Sequence, residues 1–176
     1  MITFKRIRWK NFLSTGNLFT EINFQKSDTT LIVGENGAGK STILDALTFV
    51  LFGKSFRKIN KPQLVNSITK KNLVCEIEFQ IGNVEYKIRR GMSPALFEVY
   101  KNGDILNQTA ETKDYQEILE KQILKINYKT FCQVVILGSA SFVPFMQLTA
   151  QQRRDIIEDL LDLEIFSQMN ALLKDR

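Results

Sequence analysis

Apolar residues along this chain switch between a two-residue alternation and a helical spacing at well-marked points. Residues 2–9 have strand character and run into a polar turn at Ser14, Thr15, Gly16 and Asn17. In residues 19–24, Phe19, Ile22 and Phe24 are apolar and Glu21 is polar, which predicts a second strand. Leu31, Ile32 and Val33 form a short apolar run, as in a strand buried on both faces. A glycine-rich turn follows. Over residues 41–52, Ile43, Leu44, Leu47, Val50 and Leu51 repeat at helical spacing, and Gly53 stands where a helix ends. Residues 54–72 are polar and basic, contain Pro62, and read as a long loop. Gly82-Asn83 and Asn102-Gly103 each join two strand-like runs and predict two hairpins. Residues 112–126 predict an amphipathic helix through Tyr115, Ile118, Leu119, Ile123 and Ile126. Residues 131–137 fit either type, and residues 138–148 read as a loop with Pro144. Thr149 and Gln152 form a capping box opening a charged amphipathic helix that meets no stop signal up to Arg176. The fold class is α/β with several antiparallel hairpins.

Composition narrows the chemistry. At 176 residues, with 44% hydrophobic and 24% charged residues, the chain has the balance of a soluble globular protein. No run of about 18 apolar residues suggests a membrane span. The first ten residues lack the apolar core of a signal peptide, so a cytoplasmic location is expected, that of an infected cell included. With no histidine and two cysteines, Cys75 and Cys132, neither a structural zinc site nor a His-activated nucleophile is credible. Both cysteines sit in apolar surroundings and read as reduced, buried thiols. The net charge of +5 is spread over clusters at Lys5, Arg6, Arg8 and Lys10, at Lys54, Arg57, Lys58 and Lys61, at Lys70 and Lys71, and at Lys87, Arg89 and Arg90. That field favours polyanions, although any single cluster is more simply a solvated surface.

One motif carries chemistry. Gly34-Glu35-Asn36-Gly37-Ala38-Gly39-Lys40-Ser41 matches G-x-x-x-x-G-K-[ST] in full, between an apolar run and a helical pattern. In such a loop, backbone N–H groups and a helix N-terminus make an anion site, and glycines allow positive φ and close approach to oxygen. Lys40 is expected to reach the β- and γ-phosphates as the catalytic cation, Ser41 to ligate Mg²⁺, and Thr42 to assist at the α-phosphate of ATP. Hydrolysis also needs an acid at the end of a second buried strand. The best apolar run, residues 134–137, ends in Gly138, so the site reads as an incomplete enzyme.

Trp9-Lys10-Asn11-Phe12-Leu13-Ser14, the stretch from Leu31 through Thr42, and Leu44-Asp45-Ala46-Leu47 together resemble the SbcC-type repair ATPases of the SMC/ABC superfamily. Gln63-Leu64-Val65-Asn66-Ser67, Val135-Ile136-Leu137-Gly138, residues 142–145 and residues 153–161 are similar to the tailed-phage members of that family. The resemblance implies a P-loop ABC-type ATPase head. Residues 1–150 would form its N-terminal lobe, and residues 151–176 the start of a coiled-coil helix. It further implies that a C-terminal lobe of the same ATPase supplies the missing acids, signature motif and switch residue. Two heads would sandwich two ATP molecules as a homodimer, clamp double-stranded DNA, and control an SbcD-type nuclease. By the same resemblance Ser14, Gly34, Asn36, Gly37, Ala38, Gly39, Lys40, Ser41 and Thr42 line the nucleotide, with Asn66 and Ser67 near the base or ribose. Two positions depart from the family. Leu13 replaces an arginine near the nucleotide. Ser139 aligns with the glutamine that senses the γ-phosphate, and Gln133 lies six residues earlier, so either Ser139 or Gln133 is the candidate second contact to Mg²⁺.

Two other readings compete. A nucleotide-gated scaffold would bind ATP and recruit a partner through the last helix without hydrolysis. A small kinase would have more parallel βα units and an arginine-rich lid, and the hairpins over residues 73–106 argue against it. Glu76, Glu78 and Glu85 read as solvated strand positions, and Glu158, Asp159 and Asp162 as the polar face of the last helix. Trp9 reads as a partly buried strand residue, and the basic run at residues 54–61 as a possible DNA-facing surface.

Overall fold

The computed structural model of the chain describes residues 2–106, 112–136, 143–161, 163, 166, 169 and 173. They divide into two compact units, residues 1–112 and 113–176. The first is built on one antiparallel sheet of six strands: β1 (Ile2–Lys10), β2 (Thr20–Asn23), β3 (Leu73–Ile81), β4 (Val84–Met92), β5 (Leu96–Lys101) and β6 (Asp104–Ile105). The strand order is β2-β1-β3-β4-β5-β6. Both expected hairpins form. Asn102 and Gly103 have φ of 51° and 92°, the two positive values that match a tight turn to the twist of its strands.

The pleat sorts this sheet into two chemically distinct faces, because successive side chains point to opposite sides. Across one face run Ile7, Ile77, Ile88 and Val99 in register, all buried. Across the other run Arg8, Glu76, Arg89 and Glu98, and beside them Arg6, Glu78 and Lys87. The apolar face is covered by α1 (Thr42–Phe52), which contacts β3 and β4. Ala46, Leu47, Phe49, Val50, Leu51 and Phe52 of α1 are all buried. Each large apolar side chain there contributes on the order of 1.5–3 kcal/mol. As expected, α1 stops at Gly53, which adopts φ 68° and donates its N–H to Phe49 O at 2.8 Å.

Three expectations need correction. Leu31, Ile32 and Val33 are not a buried strand: Leu31 is 85% and Val33 81% exposed. A strand exists only where a neighbour takes its backbone hydrogen bonds, and among the described residues none pairs with this run. Residues 54–72 are not all loop, because Pro62 at the start of a helical turn sets up the one-turn α2 (Lys61–Leu64). The helix expected over residues 112–126 begins as α3 (Thr112–Ile118) but is wound as a π-helix over Leu119–Leu124 and ends at Lys125 with φ 51°.

In the second unit, the ambiguous run resolves into α4 (Tyr128–Val134), capped by Asn127, whose side chain accepts from Thr130 N at 2.9 Å. A 3₁₀ turn at Phe145–Gln147 leads to α5 (Ala150–Leu160). The capping box is present: Thr149 accepts from Gln152 N, and Gln152 accepts from Thr149 N. Asp159 accepts a hydrogen bond from Asn127 N at 3.3 Å, so part of the polar face of α5 is engaged. Asp162 lies outside the described residues. No helix among the described residues is long and apolar enough to cross a membrane.

Candidate nucleotide-binding site

The P-loop is a wide turn whose shape depends on its glycines. Gly37 and Gly39 both have φ of 90°, a region that side chains bearing a Cβ rarely adopt. A Cβ on Gly34 would stand 3.3 Å from that of Ala38, so the two limbs of the loop run close together. Ala38 N donates to Glu35 O at 3.2 Å and closes the turn. Lys40 reaches back across it and donates to Gly34 O at 2.7 Å and Glu35 O at 2.8 Å. Its ammonium is thereby held over the loop by two neutral carbonyls, partners that an anionic phosphate outcompetes.

Ser41 precedes the first residue of α1. Serine at such a position ordinarily turns its hydroxyl onto the helix amides. Here Ser41 is in the αR region with φ −72° and ψ −13° and makes no such cap bond. Its exposed hydroxyl can therefore ligate a cation. Thr42 is buried at 4% exposure, and Asn36 and Ala38 are exposed on the loop. Glycine-shaped loop, ammonium, uncommitted hydroxyl and helix N-terminus fit a nucleotide triphosphate with Mg²⁺.

A second cluster forms away from the loop in sequence. Phe12 bridges to Val65, Leu13 N donates to Leu64 O at 2.7 Å, and Asn66 N donates to Asn11 O at 2.9 Å. The buried Asn66 side chain donates to Leu13 O and Thr15 O at 3.0 and 3.1 Å, and accepts from Ile68 N and Thr69 N. Asn66 is thus a staple that gives the loop carrying Ser14 its shape, while Ser14 and Ser67 are exposed. Gln133 lies on α4 in the second unit, with its side-chain oxygen buried and without a hydrogen-bond partner. Ser139 lies outside the described residues.

Several structural residues escaped sequence reasoning. Asp45, on the first turn of α1, is completely buried. Its carboxylate accepts from Arg57 N at 3.0 Å and pairs with the Arg57 guanidinium at 2.6 Å. A lone carboxylate within an apolar helical stripe was the available signal, since a buried charge must be paired. At the other end of α1, Arg90 donates to Val50 O at 3.0 Å and to Leu51 O at 3.5 Å, and lies 3.7 Å from the Phe97 ring centroid. It caps the negative end of the helix. Its strand position gave no hint of this.

Glu76 corrects the expectation of solvated acids on the strands. It is 3% exposed and lies between Arg8, Arg89 and Lys87 at 2.6, 2.9 and 3.6 Å. Burial opposes its ionisation, but hydrogen bonds from Arg8 and Arg89 prevail and hold its carboxyl below the usual range. Glu78 behaves alike, with Arg6 as the main partner. Glu85 is exposed, as expected, and pairs with Lys5. Trp9 is only 2% exposed. Both cysteines are free, and burial pushes both thiols up, Cys75 the further.

Known proteins agree with this architecture. The profile of the AAA domain family matches residues 6–176. Exonuclease subunit 2 of Enterobacteria phage T4 is 43% identical over 169 residues, which cover 96% of this chain and 30% of that protein. A DNA double-strand break repair Rad50 ATPase of Thermoplasma acidophilum is 32% identical, over 97% of this chain and 19% of its own length. The chain thus spans less than a third of these relatives. Among solved structures, an Smc head domain with an extended coiled coil from Pyrococcus furiosus aligns with a TM-score of 0.62 at 25% identity, over 99% of this chain and 46% of that one. An SMC ATPase chain from work on ATP-driven dimerization and DNA-stimulated activation aligns with a TM-score of 0.57 at 25% identity, over 90% of this chain and 99% of that one. With the P-loop, the sheet and the apolar α1 in place, the chain belongs to the AAA domain family, among the SbcC-type ATPases of the SMC/ABC superfamily.

Proposed function

We propose that this chain is the ATP-binding N-terminal lobe of a DNA double-strand-break repair or recombination ATPase, working as one subunit of a nuclease complex. The observation that carries the reading is the P-loop itself. A lysine ammonium held over a glycine turn and a serine hydroxyl not spent on capping stand together at the start of a fully packed helix. Residues 34–41 take the triphosphate. The Lys40 ammonium exchanges its two carbonyl partners for β- and γ-phosphate oxygens and stabilises charge there. Mg²⁺, held by Ser41, would neutralise the phosphates when bound. Because α1 is packed on the sheet along nearly its whole length, the loop's amides are aimed without further ordering, and little reorganisation accompanies charge development.

The family resemblance extends the reading to the whole protein. Two heads pair around ATP, with a C-terminal lobe adding the acidic residue for water activation. The closed pair clamps double-stranded DNA and regulates an SbcD-type nuclease. Ser14 flanks the nucleotide on the loop that Asn66 staples, and either Gln133 or Ser139 completes contact with Mg²⁺.

Calorimetric titration of Mg-ATP into the chain and into its Lys40→Ala variant tests the reading. The expected result is a loss of affinity of at least about tenfold in the variant, roughly 1.4 kcal/mol or more, with hydrolysis appearing when the C-terminal lobe is added. Binding without hydrolysis in the presence of that lobe would favour a nucleotide-gated scaffold. Equal affinities would sink the P-loop assignment.

A further inference from the structure

The two largest groups of cations in the first unit have opposite fates. On the polar face of the sheet, Lys5, Arg6, Arg8, Lys87 and Arg89 meet Glu21, Glu76, Glu78, Glu85 and Glu98, five against five: Lys5 pairs with Glu85, and the other eight form one connected set of ion pairs. A polyanion approaching that face meets carboxylates as often as cations, and displacing Glu76 from its partners would strand a buried charge. These five cations therefore offer no surplus field.

The surplus lies elsewhere. Residues 46–75 contain six cations, Lys54, Arg57, Lys58, Lys61, Lys70 and Lys71, and not one Asp or Glu. Arg57 is committed to Asp45. Lys58, Lys61, Lys70 and Lys71 are exposed, and none enters an ion pair among the described residues. Disorder is not what keeps them apart from acids, because the segment is fastened throughout. Ser55 Oγ donates to Ile59 O at 3.1 Å and accepts from Ile59 N at 2.7 Å. Arg57 is clasped by Asp45, Asn66 anchors residues 66–70, and Asn72 N donates to Ser93 O at 2.7 Å. A built loop that displays four uncompensated lysines pays little ordering entropy when it meets a rigid polyanion.

We propose that residues 58–71 form the phosphate-backbone contact of this lobe on double-stranded DNA, through Lys58, Lys61, Lys70 and Lys71, and that the cations of the sheet face take no part. The assignment rests on the DNA arm of the proposed function and deepens it. Its seat is also informative: Arg57 joins this loop to Asp45, one turn beyond Ser41, so the DNA contact and the nucleotide helix share a rigid clasp. Contacts made by lysine ammoniums to phosphates carry no base preference, so binding is expected to be independent of sequence.

The test is fluorescence anisotropy of a labelled duplex with the chain, over a range of salt, beside a variant with Lys58, Lys61, Lys70 and Lys71 all changed to Gln. A control variant, Lys5→Gln with Lys101→Gln, removes charge from the sheet. Circular dichroism checks that each is folded. The expected result is an affinity loss of at least about tenfold for the loop variant and a salt slope shallower by about 0.9 for each lysine in contact, with the control close to wild type. If the wild type binds and the loop variant binds equally well with the same slope, the surface assignment falls and the DNA reading stands. If the wild type binds no duplex while Mg-ATP still binds, the DNA reading falls with it. Binding of an acidic polypeptide but not duplex by the same lysines would also overturn the assignment.

Discussion

Asp45 and Lys40 show how two charged side chains five residues apart come to play opposite parts. Lys40 is held by two carbonyls, an arrangement weak enough to be exchanged for phosphate. Asp45 is buried against Arg57 with both oxygens engaged, an arrangement that is costly to break. Removing one partner of a buried pair leaves the other uncompensated. Because Arg57 is 45% exposed and water can reach its head, the smaller part of that penalty is expected for loss of the acid. Asp45→Ala is expected to destabilise the chain by about 2 kcal/mol, read as a lowered urea midpoint with unchanged slope, and to weaken Mg-ATP binding by less than Lys40→Ala does. A lone acid in an apolar helix was the signal of Asp45's burial, and sequence reasoning passed over it. Nothing marked its partner, since Arg57 reaches it only because the chain reverses after Gly53.

α1 is the element that joins nucleotide to scaffold. One end carries the P-loop, and the other is closed by Gly53 and capped by Arg90. A Cβ on Gly53 would stand 2.8 Å from the Arg90 guanidinium, and φ of 68° strains any other residue. Gly53→Ala is therefore expected to cost more than the ~1–2 kcal/mol of the left-handed conformation, because Arg90 must also leave its carbonyls. A melting-temperature drop larger in Gly53→Ala than in Gly53→Ala/Arg90→Ala relative to Arg90→Ala alone would check that the two effects are coupled. Helix α1 and its stop at Gly53 were readable from periodicity and one glycine. The hairpins were equally readable from Gly82-Asn83 and Asn102-Gly103. Leu31, Ile32 and Val33 were misread because an apolar triplet says nothing about who its neighbours are.

Across the whole first unit, the ion-pair face ties stability to pH. Glu76 and Glu78 have carboxyls held below the usual range in the folded chain. A depressed folded value means that the unfolded chain binds these protons first, so the stabilisation is complete above the unfolded carboxylate value and is lost as pH falls through the folded one. Chemical unfolding should give a midpoint insensitive to pH between about 5.5 and 7, falling below about pH 4.3. Glu76→Gln should flatten that fall while lowering the plateau. A midpoint that stays constant down to pH 3 would contradict the role given to these acids.

The local code of this chain was decisive wherever the physics is local. A P-loop needs only its own glycines, lysine and serine with an apolar helix behind them. A tight hairpin needs one or two residues that accept positive φ, as Gly82 does in one hairpin and Asn102 and Gly103 do in the other, and a capping box needs Thr149 and Gln152 at the right spacing. Tertiary structure alone decided what depends on partners distant in sequence. It put Glu76 under three cations, Arg90 on the end of α1, Asn66 beneath the Ser14 loop, and left Leu31 to Val33 unpaired among the described residues. Burial and charge compensation are properties of pairs, and a one-dimensional pattern holds the members of a pair without recording which ones meet.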